Sequence, residues 1–282
     1  MAACQNQILM PSVALPSGAR MPLVGLGVYK AAAGEEAYEA VLSALRLGYR
    51  HIDTARLYEN EADVGRAVRD SGIPREQLFI TSKLREFHWG YDKAIEGARS
   101  SNDLIGCGYI DLFLLHQPFD PKLRADTWRA LEDLQAEGIL RDIGVSNFGE
   151  PHLAKLAETW RVKPAVNQIE LHPWLTRVPL VTFCQENGIL LQAFSPLARV
   201  KKIDDPRLVE IAKEVQATPA QVLIAWDLAK GFTTLPKSVH EARQKENLEA
   251  VAVKLTPEQV AHLDAFNEDF FSGTDHVSNS AV

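Results

Sequence analysis

Eight short apolar runs alternate with helical stretches along this chain, and few folds accept that alternation. The runs lie at 23–28, 49–54, 78–84, 109–116, 142–146, 165–169, 189–194 and 232–236. Between them the apolar spacing changes to a helical period. The first helix is predicted at 35–47, where Ala37, Val41, Ala44 and Leu45 share one face and Gly48 ends it. Further helices are expected from Asn60 onward, at 91–105, 123–137, 150–160 and 178–187, as a pair at 206–216 and 219–229, and at 240–250. A last one is expected at 256–266. Strands that alternate with helices form a parallel sheet joined by crossovers, either doubly wound or closed into a barrel. A doubly wound nucleotide-binding sheet needs G-x-G-x-x-G opening its first helix. Here Gly25-Leu26-Gly27-Val28-Tyr29-Lys30 lacks the third glycine and opens no helix. The expected fold is therefore α/β, a (β/α)8 TIM barrel occupying residues 1–282 as one domain, with extra helices. A turn at Pro16-Ser17-Gly18 predicts an N-terminal hairpin that caps it.

Composition narrows the functional classes. A net charge of −7 argues against a nucleic-acid partner or an anionic membrane surface. No 18-residue apolar run marks a membrane span, and the start shows no signal peptide. Cys4, Cys107 and Cys184 are far apart and form no CxxC pair, so neither a metal site nor a disulfide framework is expected. These features fit a reduced, cytoplasmic setting.

In a parallel barrel the carboxyl ends of the strands converge on one mouth, where catalytic groups sit. The strand ends here offer Asp53, Tyr58, Lys83, His116, Ser146, Asn147, Gln168, Phe194, Ser195, Lys237 and Ser238. Lys83 closes an apolar run, so its ammonium is expected to be buried and to need a partner. Asp53 is available on the neighbouring strand. A lysine beside a phenol favours phenolate, so a lowered pKa is expected for Tyr58. Such a phenol can serve in proton transfer.

The pattern Gly48-Tyr49-Arg50-His51-Ile52-Asp53-Thr54-Ala55, then Tyr58, Asn60 and Glu61, resembles the aldo-keto reductase signature. Gly144-Val145-Ser146-Asn147-Phe148 and Leu235-Pro236-Lys237-Ser238, with Arg243 and Asn247 following, resemble two further segments of that family. Val166-Asn167-Gln168-Ile169-Glu170 and Ser195-Pro196-Leu197 also match. The likeness runs from about residue 13 to about residue 266. It implies reduction of aldehydes or ketones with NADPH. Tyr58 would be the proton donor, tuned by Lys83 and Asp53, with His116 orienting the carbonyl. Cofactor contacts are implied for Gly27, Val28, Asp53, Ser146, Asn147 and Gln168. Phe194, Ser195 and Leu197 would continue that wall. Lys237, Ser238, Val239, His240, Arg243, Glu246 and Asn247 would hold the adenosine end and its 2′-phosphate.

Tyr29, Arg85, His116 and Gln117 are expected at the substrate. Arg85 and Gln117 stand where relatives commonly carry aromatics, which predicts a taste for polar or anionic carbonyls. The short tail after Phe266 resembles the prokaryote-like, prostaglandin-F-synthase-like branch and predicts an open mouth and a monomer. Lys201-Lys202 reads as a solvated pair, or alternatively as a contact for the cofactor pyrophosphate. A regulatory NADPH-binding subunit of the same fold, similar to the potassium-channel β subunits, is the alternative to an enzyme. A barrel isomerase for sugar phosphates would leave Lys237, Arg243 and Asn247 without a purpose.

Overall fold

A computed structural model describes residues 10–278 and 281–282; Cys4 lies outside them. Strands β1 (Ser12–Ala14) and β2 (Arg20–Pro22) form an antiparallel hairpin, as the turn predicts. Eight parallel strands follow: β3 (Leu26–Gly27), β4 (His51–Asp53), β5 (Phe79–Leu84), β6 (Ile110–Leu115), β7 (Leu140–Ser146), β8 (Val166–Glu170), β9 (Leu190–Phe194) and β10 (Thr233–Leu235). Each pairs with the next in sequence order. Parallel bridges Val24–Thr234 and Gly27–Lys237 join the first to the last and close the barrel. The first apolar run is thereby split. Leu26 and Gly27 pair with β4, while Gly25 N donates to Thr234 O and Thr234 N to Leu23 O across the closure.

The crossovers are α1 (Glu35–Leu47), α2 (Glu61–Asp70), α3 (Tyr91–Ile105), α4 (Arg124–Ala136), α5 (Glu150–Ala157) and α6 (Val178–Glu186). They continue as the pair α7 (Pro206–Glu214) and α8 (Pro219–Ala229), then α9 (Glu241–Glu249), with α10 (Pro257–Asp264) added last. Helix α2 packs so close to α3 that a Cβ on Gly65 would lie 1.9 Å from Ile105 O. No helix among the described residues is long and apolar enough to cross a membrane.

The two-residue period of a strand sorts the barrel into an inside and an outside. Ile52, Ile80, Phe113, Leu115, Ile143, Val145, Ile169 and Leu191 belong to the large apolar cluster shared with the helices. Their alternates Phe79, Leu112, Leu114 and Val166 form a second cluster with Met21 and Leu15 of the hairpin. The hairpin therefore plugs the end where the strands begin, and Ser17 N donates to Asp142 Oδ1 at 3.1 Å there. Following the same inner parity upward leads to His51 and Asp53 on β4, Thr81 and Lys83 on β5, Gln168 on β8, and Gln192 and Phe194 on β9. The inside is thus apolar at the plugged end and polar at the mouth.

Candidate active site

Asp53 and Lys83, adjacent on the inner surface, are almost completely buried. Lys83 Nζ donates to Asp53 Oδ1 at 2.6 Å, to Thr54 O at 2.8 Å and to Tyr58 Oη at 3.4 Å. The other Asp53 oxygen accepts from Gln168 Nε2 at 2.8 Å, and Gln168 Nε2 also donates to Gln192 Oε1. Burial pushes the Asp53 carboxyl up and the Lys83 ammonium down, each toward its neutral form, against their mutual attraction.

Tyr58 ends a single 3-10 turn, Arg56–Tyr58, directly after β4. That turn is stapled by Asn60. Its carbonyl oxygen accepts from Thr54 Oγ1 at 2.7 Å, and its amide donates to Val28 O and Ala31 O. The Tyr58 ring lies 4.9 Å from that of Tyr29 and 5.7 Å from His116, edge to face with the latter. The phenol departs from the sequence expectation. Its pKa is raised well above the ordinary value, by burial first and then by the charge of Asp53. Lys83 is held too firmly by Asp53 and Thr54 O to reverse that at rest. Burial, with the charges of Lys83 and His276 behind it, lowers His116 to about 3, so its imidazole is neutral near pH 7.

A cavity of about 720 Å³ opens from this cluster. Asp53, Tyr58, His116, Gln117 and Tyr29 lie on its wall. Ser146, Asn147, Gln168 and Phe194 form its floor, and Gly27, Ser195 and Leu197 continue it. Its far end is lined by Lys237, Ser238, Val239, His240 and Arg243, at the start of α9. Asn147 adopts a left-handed backbone, φ 62°, and its amide donates to His116 O and Ser146 Oγ. Ser146 Oγ donates to Gln168 O. The amide N–H groups of Asn147 and Gln168 are spent inside the protein, which leaves their carbonyl oxygens as the acceptors for a guest.

Four expected contacts are not on this wall. Val28 is buried, and its backbone instead ties Asp53 O to Asn60. Glu246 and Asn247 lie about 5.4 Å, one helical turn, beyond Arg243, and Asn247 is buried there. Arg85 turns outward, 3.7 Å from both Glu59 and Glu86 and over the Phe87 ring. Its neighbour Glu86, 3.7 Å from Arg85, takes the wall position.

The 201–202 pair is likewise not at the cavity. Lys201 Nζ donates to Ser272 O at 2.9 Å, and Lys202 pairs with Glu268 at 2.5 Å. Arg199 lines the cavity instead, on a loop where Ala198, Arg199 and Val200 all have positive φ. Sequence reasoning also missed Lys30, Leu57 and His276. Lys30 and Leu57 flank residues already singled out, and that proximity was the available signal. His276 belongs to the tail, which carries no periodicity to place it. The tail also corrects the open mouth, because it returns to the cavity. Cys184 is buried with its thiol pushed up to about 11.

Residues 24–268 match the family model described as the aldo/keto reductase family. The chain is 43% identical over 266 residues to the 9,11-endoperoxide prostaglandin H2 reductase of Trypanosoma cruzi, covering 93% of this chain and 94% of that one. It is 43% identical over 261 residues to the glyoxal reductase of Bacillus subtilis, with the same coverages. Among solved structures it resembles a Bombyx mori aldo-keto reductase in complex with NADP, with TM-score 0.88 and 32% identity, covering 95% of this chain and 96% of that one.

Proposed function

The chain belongs to the aldo/keto reductase family, and we propose that it reduces aldehydes or ketones to alcohols with NADPH, Tyr58 supplying the proton. The observation that carries this reading is the direction of the hydrogen bond at Tyr58. Lys83 donates to the phenol oxygen, so the phenol's own proton is left to point into the cavity. At rest the phenol is neutral, as a proton donor must be. As its proton moves to the developing alkoxide, the ammonium at 3.4 Å stabilises the phenolate that forms. Lys83 therefore acts on the transition state more than on the resting pKa. Neutral His116 carries one ring N–H and adds a second hydrogen bond to the substrate oxygen.

The cavity wall fits the cofactor. Asn147 and Gln168 offer carbonyl acceptors for a carboxamide, Phe194 an aromatic face, and Lys237 and Arg243 two cations for a 2′-phosphate. When bound, NADPH supplies the hydride; the protein supplies position and a proton. The Bombyx mori relative solved with NADP supports the same choice. Because the site draws on strands from β4 to β10, the reading takes residues 1–282 as one barrel domain.

Tyr58→Phe tests it. The variant is expected to bind NADPH nearly as wild type in a fluorescence titration while losing almost all aldehyde-dependent NADPH oxidation. Retained turnover would remove Tyr58 from the proton step. Wild-type protein that binds NADPH yet turns over no aldehyde would favour a regulatory subunit.

A further inference from the structure

The polar cluster at the barrel mouth continues past Asp53 and Gln168 into the barrel. Gln168 on β8 and Gln192 on β9 are register partners on neighbouring strands. Both point inward by the two-residue period of a strand, and Gln192 is fully buried. Gln168 Nε2 donates to Asp53 Oδ2 at 2.8 Å, across the barrel, and to Gln192 Oε1 at 2.7 Å. Gln192 Nε2 then donates to Met21 Sδ of the plugging hairpin at 3.5 Å. One row of side chains therefore runs from the plug to the Lys83 ammonium, through Met21, Gln192, Gln168 and Asp53.

Each amide in this row has one orientation that satisfies its neighbours. Paired with the Lys83 ammonium, Asp53 offers only acceptors, so the Gln168 atom that faces it is the nitrogen. That nitrogen accepts nothing, so the Gln192 atom 2.7 Å from it is the oxygen. The Gln192 nitrogen is left facing the sulfur, a weak acceptor. A planar amide held by one hydrogen bond can still turn about it. Two N–H bonds in different directions within the plane fix that plane, and with it the direction of Gln168 Oε1. An acceptor held in place beforehand avoids the entropy loss of ordering a free side chain on binding.

We infer that Gln192 is a positioning residue: by holding the second N–H of Gln168, it aims Gln168 Oε1 at the carboxamide N–H of the cofactor. The inference rests on the reductase reading, which gives Gln168 to the carboxamide. It extends that seat to a residue buried behind the cavity wall. A site built to accept a ligand N–H discriminates against the analogue that lacks it, because its own polar group is then left without a partner.

The test compares NADP with its 3-acetylpyridine analogue, in which a methyl replaces the carboxamide NH2, by calorimetric titration. Wild-type protein should bind NADP more tightly. Gln192→Met matches the glutamine in length and offers no carbonyl. It should shrink the preference for NADP by about two- to tenfold, the scale of one neutral hydrogen bond. Gln192→Glu should keep the wild-type preference, because the neutral acid that burial favours still presents a carbonyl to Gln168 and an O–H to Met21. Binding of 2′-phospho-ADP-ribose, which lacks the nicotinamide, should be equal in all of these proteins. If Gln192→Met does not fold, Gln192→Asn withdraws the same carbonyl by one methylene and is read in the same way. An unchanged preference in Gln192→Met, equal losses on every nucleotide, or a Gln192→Glu that behaves like Gln192→Met would overturn the role of Gln192. Aldehyde-dependent NADPH oxidation by wild-type protein would leave the reductase reading standing in each of those cases. Wild-type protein that binds the two dinucleotides equally would overturn the Gln168 seat together with this inference. Wild-type protein that does not bind NADP would overturn the reductase reading as well.

Discussion

Replacing Lys83 by methionine should destabilise the barrel by an amount that depends on pH. Methionine matches the lysine stem in length and apolar character, so little cavity is left. The loss is electrostatic. Lys83 is fully buried and holds Asp53, Thr54 O and Tyr58. Without it Asp53 keeps only the Gln168 amide. Removing one partner of a buried ion pair costs about 3–5 kcal/mol. At about 2–3 °C per kcal/mol for a chain of this size, that is roughly 6–15 °C in Tm.

The sign with pH follows from Asp53. Burial already raises its carboxyl, and loss of the ammonium raises it further above the unfolded value of about 3.9. A raised carboxyl penalises the folded state once pH exceeds the unfolded value. The penalty grows until pH passes the folded value. The gap between wild type and Lys83→Met in urea midpoint should therefore widen from pH 5 to pH 8. Asp53→Asn in the same chain should recover about 2 kcal/mol or more and flatten that slope, because the uncompensated charge is gone. Turnover should remain lost. A gap that is equal at both pH values, with no recovery in the double variant, would refute this account of the pair.

Arg243→Ala should weaken NADPH by about 1.5–3 kcal/mol, the scale for hydrogen bonds to a charged group, and NADH far less; parallel titrations of the two cofactors check it. Gly65→Ala should cost about 3 kcal/mol or more as overpacking, because the new Cβ would fall 1.9 Å from a backbone oxygen on α3; thermal unfolding measures it. Asp227, fully buried and accepting from Thr234 Oγ1 at 2.6 Å, has its carboxyl raised well above the ordinary value, chiefly by burial. Its contribution to stability should fall as pH rises above about 4, and Asp227→Asn should remove that dependence from urea titrations at stepped pH.

Most elements were legible in the residues. Helices 35–47 and 91–105 have the expected ends, since an amphipathic period stopped by glycine is a local signal. Helices expected to reach Trp160, Gln216 and Phe266 end earlier, at Ala157, Glu214 and Asp264. The residues that follow them have no apolar break to mark the stop. The first strand was expected to be continuous, yet its residues divide between two partners where the barrel closes.

Strand parity and residue chemistry, both local, were enough to bring Asp53, Lys83, His116 and Gln168 to one mouth. Orientation and charge balance were decided elsewhere. Gln168 reaches Asp53 across 115 positions and Glu170 holds Ser272 across 102, so no window of sequence contains either contact. Arg85 faces outward because Glu59 and Glu86 both lie within ion-pair reach of it. The Tyr58 phenol stays neutral because burial and Asp53 outweigh a lysine already engaged by stronger partners. His276 lines the cavity because Arg177 holds Asp275, which in turn accepts from Val277 N. The sequence by itself determined which groups meet at the barrel mouth, through the two-residue period of its strands. Only the tertiary structure decided their protonation and aim, because both depend on burial and on charges distant along the chain.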